Sequence, residues 1–179
     1  TGIIVAVENI RTRYYKLQSV LRLLNVKSVE TKLIDGRRYR SPQLIDQILL
    51  DAPSSCEGRV KTYEPKSYAY WSPRKIKEMA HKQKGLLHNA TRLLKKGGTL
   101  VYSTCTFSPE ENEEVIDWVL KKSKVKLNLV PIESKGLPIY PALLSWRDKG
   151  MNSEVKKCVR IYPTDLMDGF FIAKVQKEE

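Results

Sequence analysis

Apolar and polar positions follow two rhythms along this chain. Residues 3–7, IIVAV, form a short β-branched run that ends on Glu8. The next stretch, RTRYYKLQSVLRLLNV, spaces Tyr14, Leu17, Leu21 and Leu24 at helical intervals. The pattern predicts strand, acid, helix. VETKLI, residues 29–34, ends on Asp35 and Gly36, and QILL, residues 47–50, ends on Asp51. Three predicted strands therefore finish on an acid.

Beyond a polar, aromatic loop, Ser72 and Pro73 supply an N-cap and a first-turn proline for a long helix predicted to run to Lys96 and stop at Gly97 and Gly98. The strand TLVYST follows, then Cys105. SPEENEEVIDWVLKK reads as a helix opened by a capping box, Ser108 with Glu111, and by Pro109, with acids at its start and lysines at its end. KVKLNLVPI predicts another strand, and CVRIYP and GFFIAKV read as a closing strand pair after a loop rich in Pro, Trp and Gly. Strands alternating with helices predict an α/β fold with a largely parallel sheet, whose ligands sit at the carboxyl ends of the strands. All the acids noted above lie at those ends.

With 179 residues and 20.6 kDa the chain suits one domain, residues 1–179. No apolar run approaches the roughly 20 residues that span a bilayer, and TGIIVAVENI lacks the basic start and cleavage signal of a secretory peptide. The expected location is cytoplasmic, or nuclear or nucleolar in a eukaryote, with no membrane partner. Three cysteines, Cys56, Cys105 and Cys158, lack C-x-x-C spacing, and His81 and His88 have no companion cluster, so neither a zinc site nor a disulfide framework is expected. A net charge of +12 and a pI near 9.6 point to a polyanionic partner, with a lysine-rich solvated surface as the plain alternative.

Candidate chemistry concentrates in LLDAPSSCEG, residues 49–58. Chain stiffening and a tight turn explain Pro53 and Gly58, but not an acid and a thiol. Together, DAPSSCEG, LLKKGGTLVYSTCTFSPEENEEVI and RIYPTDLMDGFFIAK resemble the Sun/Fmu-type (Nol/Nop/Sun) family of RNA cytosine-5 methyltransferases, over nearly the whole chain. The resemblance implies a Rossmann-like methyltransferase fold, mostly parallel with an antiparallel C-terminal strand. It also implies S-adenosylmethionine as methyl donor and tRNA or ribosomal RNA as substrate.

On the matching positions, the resemblance assigns Glu8 to the donor's ribose hydroxyls, Asp35 to its adenine, and Arg13 and Asp51 to the same donor site. Cys105 becomes the thiolate that adds to carbon 6 of cytosine, and Asp51 steadies the base as charge develops. Its place at a strand end before a predicted helix N-terminus is expected to lower the Cys105 pKa. The family's product-release cysteine is replaced here by Ser54, and the family's glycine position, two residues on, holds Cys56. Cys56 reaches Cys105 only if the loop bends back. Family members also start with a central strand and a Gly-rich donor loop, and TGIIVAV already matches the second strand. The expectation is a C-terminal fragment of a longer protein, or a missing N-terminal segment supplied by a complementary chain.

The loop GRVKTYEPKSYAYWSPRK interleaves Arg59, Lys61, Lys66, Arg74 and Lys75 with Tyr63, Tyr68, Tyr70 and Trp71. Stacking faces beside cations suit single-stranded RNA, and a target cytosine must leave its stack to reach a thiolate. A loop packed on its own aromatics is the plain alternative. Arg160 and the DGFF segment are expected to serve structure rather than chemistry. Two rival functions stay open: a catalytically impaired RNA-binding homologue, and a methyltransferase acting on a protein amide or an exocyclic amine. The latter has no need for a strand-end thiol.

Overall fold

The structure is a computed structural model that describes residues 2–133 and 136–178. The chain forms two compact units, Thr1–Pro42 and Gln43–Glu179.

In the first unit, strand β1 (Ile4–Glu8) pairs in parallel with β2 (Val29–Leu33), Ile4 opposite Val29 and Glu8 opposite Leu33. The helix α1 (Arg11–Leu23) connects them, as the spacing of Tyr14, Leu17 and Leu21 predicts. Its inner face is polar at the centre. Gln18 Nε2 donates to Tyr14 Oη at 3.1 Å and to Thr31 Oγ1 at 3.2 Å, which ties the helix to β2. Asn25, at φ 50°, turns the chain out of the helix.

In the second unit, β3 (Ile45–Asp51) pairs in parallel with β4 (Leu94–Thr104) across α2 (Pro73–Leu93). Beyond α3 (Glu113–Lys122) come β5 (Leu127–Val130), β6 (Ile139–Pro141), the hairpin β7 (Ser145–Trp146) and β8 (Lys149–Gly150), then β9 (Val159–Ile161) and β10 (Phe170–Lys177). Strand β10 runs antiparallel to β4, β5 and β9, and β6 is antiparallel to β9. The closing pair read from the sequence is β9 with β10. The antiparallel part thus extends from the C-terminal strand to its neighbours β5, β9 and β6.

Ser72 caps α2 by accepting from Lys75 N–H at 3.1 Å, with Pro73 in the first turn. The helix ends at Leu93, short of the predicted Lys96. Leu94 is fully buried and turns extended to pair with Ile45, and Lys177 Nζ donates to its carbonyl. The strand then bulges before Thr99, with Gly97 at φ 72°. From Gly98 to Thr104 every second residue of β4 is buried, and Phe171, Ala173 and Val175 do the same on β10. With Leu87, Val115, Ile116 and Val119 from the helices they form the core. Asp51 and Cys105 therefore emerge side by side, where β3 and β4 leave that core.

Among the described residues no helix is long and apolar enough to cross a membrane, and no cluster of His, Cys, Asp or Glu is placed to hold a metal ion.

Candidate active site

At the end of the parallel pair, Asp51 stands opposite Ser103, and Ser103 Oγ donates to Asp51 Oδ1 at 3.1 Å. The Asp51 carboxylate stays exposed. Cys105, one residue past β4, is half-buried. Ser54 Oγ lies 3.2 Å from the Cys105 sulfur, and Cys56 Sγ lies 3.5 Å from it.

Cys56 reaches that position through its backbone. At φ 63° and ψ 31° it adopts the left-handed conformation, which costs a non-glycine residue energy and folds the loop back on itself. Gly58 then pins the loop, donating its N–H to the Cys105 carbonyl at 2.9 Å. A Cβ at Gly58 would fall 2.3 Å from the Gly169 carbonyl oxygen, so only glycine fits. The DGFF segment thus supports the thiol loop, with Gly169 N–H donating to Gly58 O at 3.0 Å.

Two expectations about Cys105 are corrected. Helix α3 begins at Glu113, not at Pro109, and its N-cap residue Asn112 ties the residues on either side of Cys105, accepting from Thr104 Oγ1 at 2.5 Å and donating from Nδ2 to Thr106 O at 2.9 Å. Nor does a capping box form. Ser108 Oγ donates to Glu57 Oε1 at 2.8 Å, and Glu111 is fully buried, its Oε2 accepting from Ser55 N–H at 3.0 Å and Gln83 Nε2 at 2.8 Å. Both groups are drawn into the site loop instead. The Cys105 pKa is accordingly raised, not lowered: burial is the main cause and the adjacent Cys56 adds to it, while the Ser54 hydrogen bond and Arg59 pull the other way.

Glu57 and Glu111 are the residues that sequence reasoning missed. Glu57 accepts from Trp71 Nε1 at 2.7 Å and Ser108 Oγ at one oxygen, and from Thr106 Oγ1 at 3.0 Å and Phe107 N–H at 3.1 Å at the other. It joins the thiol loop, the aromatic loop and the segment after Cys105. An acid inside a tight turn, between Cys56 and Gly58, was the available signal. Burial raises the Glu111 carboxyl pKa.

The expected RNA-facing residues divide. Tyr70 is 90% exposed, and Lys61, Trp71 and Arg74 are exposed, whereas Lys75 is half-buried. Arg59 pairs with Asp168 at 3.0 Å. Arg160 is buried, its guanidinium gripping Glu113 through two 2.6 Å hydrogen bonds and donating to Phe107 O at 2.9 Å. Tyr68, Trp71 and Phe107 line an open cavity of about 480 Å³ together with Glu57, Val60 and Thr62.

The expected donor residues Glu8, Arg13 and Asp35 belong to the other unit. Glu8 sits at the end of β1, where Oε1 accepts from Asn9 and Ile10 N–H at 2.8 and 2.9 Å and Oε2 meets Arg13 Nε at 3.0 Å. Backbone and guanidinium fix the carboxylate and leave one acceptor site, on Oε2, so Glu8 takes one ribose hydroxyl as it stands and the second only where Arg13 gives way. Asp35 is held by Arg37, Nε to Oδ1 at 3.1 Å and to Oδ2 at 3.0 Å, and that contact lowers its pKa. A contact from Asp35 to adenine competes with Arg37.

A model of the 16S rRNA methyltransferase RsmB/F family matches residues 1–176. The tRNA (cytosine(49)-C(5))-methyltransferase of Pyrococcus abyssi is 35% identical over 181 residues, which cover 98% of this chain and 56% of that protein. Ribosomal RNA small subunit methyltransferase F of Cronobacter sakazakii is 33% identical, over 98% of this chain and 35% of its own. The crystal structure of NSun6 from Pyrococcus horikoshii with SFG superposes with a TM-score of 0.79 at 32% identity, covering 100% of this chain and 42% of that one. The chain spans about half the length of these relatives or less.

Proposed function

The chain belongs to the 16S rRNA methyltransferase RsmB/F family, and on that premise we propose that it methylates carbon 5 of a cytosine in tRNA or ribosomal RNA through a covalent bond to Cys105. The observation that carries this reading is the half-buried Cys105 sulfur at the end of β4, with Asp51 at the end of the paired strand β3 and two further nucleophile-sized side chains within 3.5 Å.

Carbon 5 of cytosine is too electron-poor to attack a methyl group unaided. Addition of the Cys105 thiolate to carbon 6 forms an S–C bond and shifts the ring's double-bond electrons to carbon 5. Asp51, exposed beside the thiol, holds the amino and ring-nitrogen edge of the base. S-adenosylmethionine, when bound, supplies the electrophilic methyl group, and Glu8 is the residue to hold its ribose. Once carbon 5 carries the methyl group, its proton passes to a solvent water, which returns the electrons to the ring and breaks the S–C bond. The departing thiolate is met by Ser54 Oγ and Cys56 Sγ, which we assign jointly to release.

The test is nucleoside mass spectrometry of tRNA and ribosomal RNA after incubation with S-adenosylmethionine. 5-Methylcytidine should accumulate with the natural chain and not with Cys105→Ala. Equal accumulation with both would remove Cys105 as nucleophile. Two observations favour a second reading, an RNA-binding homologue with impaired catalysis: Ser54 stands where the resemblance implies a thiol, and burial raises the Cys105 pKa. That reading expects RNA binding with no 5-methylcytidine from either protein.

A further inference from the structure

The aromatic side chains past Cys105 extend beyond the residues assigned above. Phe107 lines the 480 Å³ cavity with Trp71 and Tyr68, and its ring also packs against Tyr162 at 5.9 Å between centroids. Tyr162 in turn packs on Tyr140 at 4.4 Å. Tyr140 and Tyr162 remain 45% and 47% exposed, so these rings are not absorbed into the core. We propose that the cavity and the Tyr162–Tyr140 pair form a stacking track for the unpaired nucleobases that flank the target cytosine.

The size and chemistry of the cavity select this occupant. Its volume suits a small planar group. Glu57, its acidic wall, already accepts four hydrogen bonds, two of them from Trp71 and Phe107. That carboxylate is committed to bracing the walls, which leaves ring faces as the recognition surface. Phe107 is braced from behind as well: a Cβ on Gly169 would lie 2.1 Å from its Cζ, so the ring rests directly on backbone. Rigid aromatic faces beside cations bind single strands with little sequence preference. Exposed Arg59, Lys61 and Lys66 lie in the loop that forms the cavity's other wall, on a chain of net charge +12. The complement is a polyanion carrying flat bases. This inference rests on the RNA reading above and adds to it where the flanking nucleotides lie.

Fluorescence anisotropy tests the track without donor or turnover. The probe is a fluorescein-labelled twelve-nucleotide oligouridine with one central cytidine, titrated with the whole chain at low salt. Tyr162→Ala and Trp71→Ala should each weaken binding roughly 5- to 150-fold, the range expected for loss of one base–aromatic stack. Tyr162→Trp, which keeps a stacking face, should bind within about twofold of the natural chain. Replacing the uridines on either side of the cytidine by abasic residues should shrink the alanine effects to under about twofold. Alanine variants that bind like the natural chain, or lose equal affinity for intact and abasic probes, overturn the track while leaving RNA binding in place. A natural chain that shows no salt-sensitive binding to the probe overturns the RNA reading itself.

Discussion

The sulfur of Cys56 stands 3.5 Å from the sulfur of Cys105, although 49 positions separate them in the chain. The left-handed backbone at Cys56 makes this possible by folding the loop after β3 back toward the end of β4. A thiol moved two residues along from the family's usual position therefore still faces the nucleophile. Ser54, at that usual position, also lies within reach at 3.2 Å.

If Cys56 and Ser54 share release, removing either should trap RNA on Cys105. Cys56→Ala is expected to accumulate a covalent RNA adduct on denaturing gels and to slow turnover. Ser54→Cys should lower the adduct. Adduct levels and turnover indifferent to Cys56→Ala would exclude it from release.

The raised Cys105 pKa predicts that its alkylation by iodoacetamide, followed by peptide mass spectrometry, rises with pH to a midpoint above the ordinary thiol value of about 8.5. Ser54→Ala removes a hydrogen bond that favours the thiolate, so the midpoint should move further up. Cys56→Ala removes a neighbour that opposes it, so the midpoint should move down. A midpoint at or below neutrality in the natural chain would contradict the burial argument.

Arg160 and Glu113 form a buried pair that also carries Phe107 O and, through Glu113 Oε1, Leu143 N–H at 3.0 Å. Arg160→Met should destabilise the chain by about 3–5 kcal/mol in urea unfolding, because it strands a buried carboxylate. Adding Glu113→Leu should recover a substantial part of that loss. Losses that simply add would show that the two side chains are not coupled.

Glu111 predicts a pH dependence of stability. Burial raises its carboxyl pKa above the unfolded value near 4.3, so the folded chain binds the extra proton between the two values. The contribution of the neutral acid is present in full below the unfolded pKa and is lost as pH rises through the folded one. Glu111→Gln keeps a neutral side chain at every pH. Its melting temperature relative to the natural chain should therefore climb as pH rises from about 4 through the folded-state pKa. A difference that stays flat with pH would count against the raised pKa.

Local rules were enough for β1, α1, β2, the start of α2 and the closing strands, because each carries its own periodicity or cap: Tyr14, Leu17 and Leu21 on α1, Ser72 and Pro73 on α2, and the alternation of Phe171, Ala173 and Val175 on β10. The family was legible in three stretches, DAPSSCEG, LLKKGGTLVYSTCTFSPEENEEVI and RIYPTDLMDGFFIAK. What lay outside reach was every feature set by groups distant in sequence. Ser108 and Glu111 spell a capping box, yet Glu57, Ser55 and Gln83 compete for the same atoms and win, because those buried groups would otherwise be left unpaired. The direction of the Cys105 pKa likewise depends on packing, which no spacing along the chain reports. The Tyr140, Tyr162 and Phe107 rings come from three separate segments, and only the pairing of β6 with β9 and the turn after Cys105 bring them together.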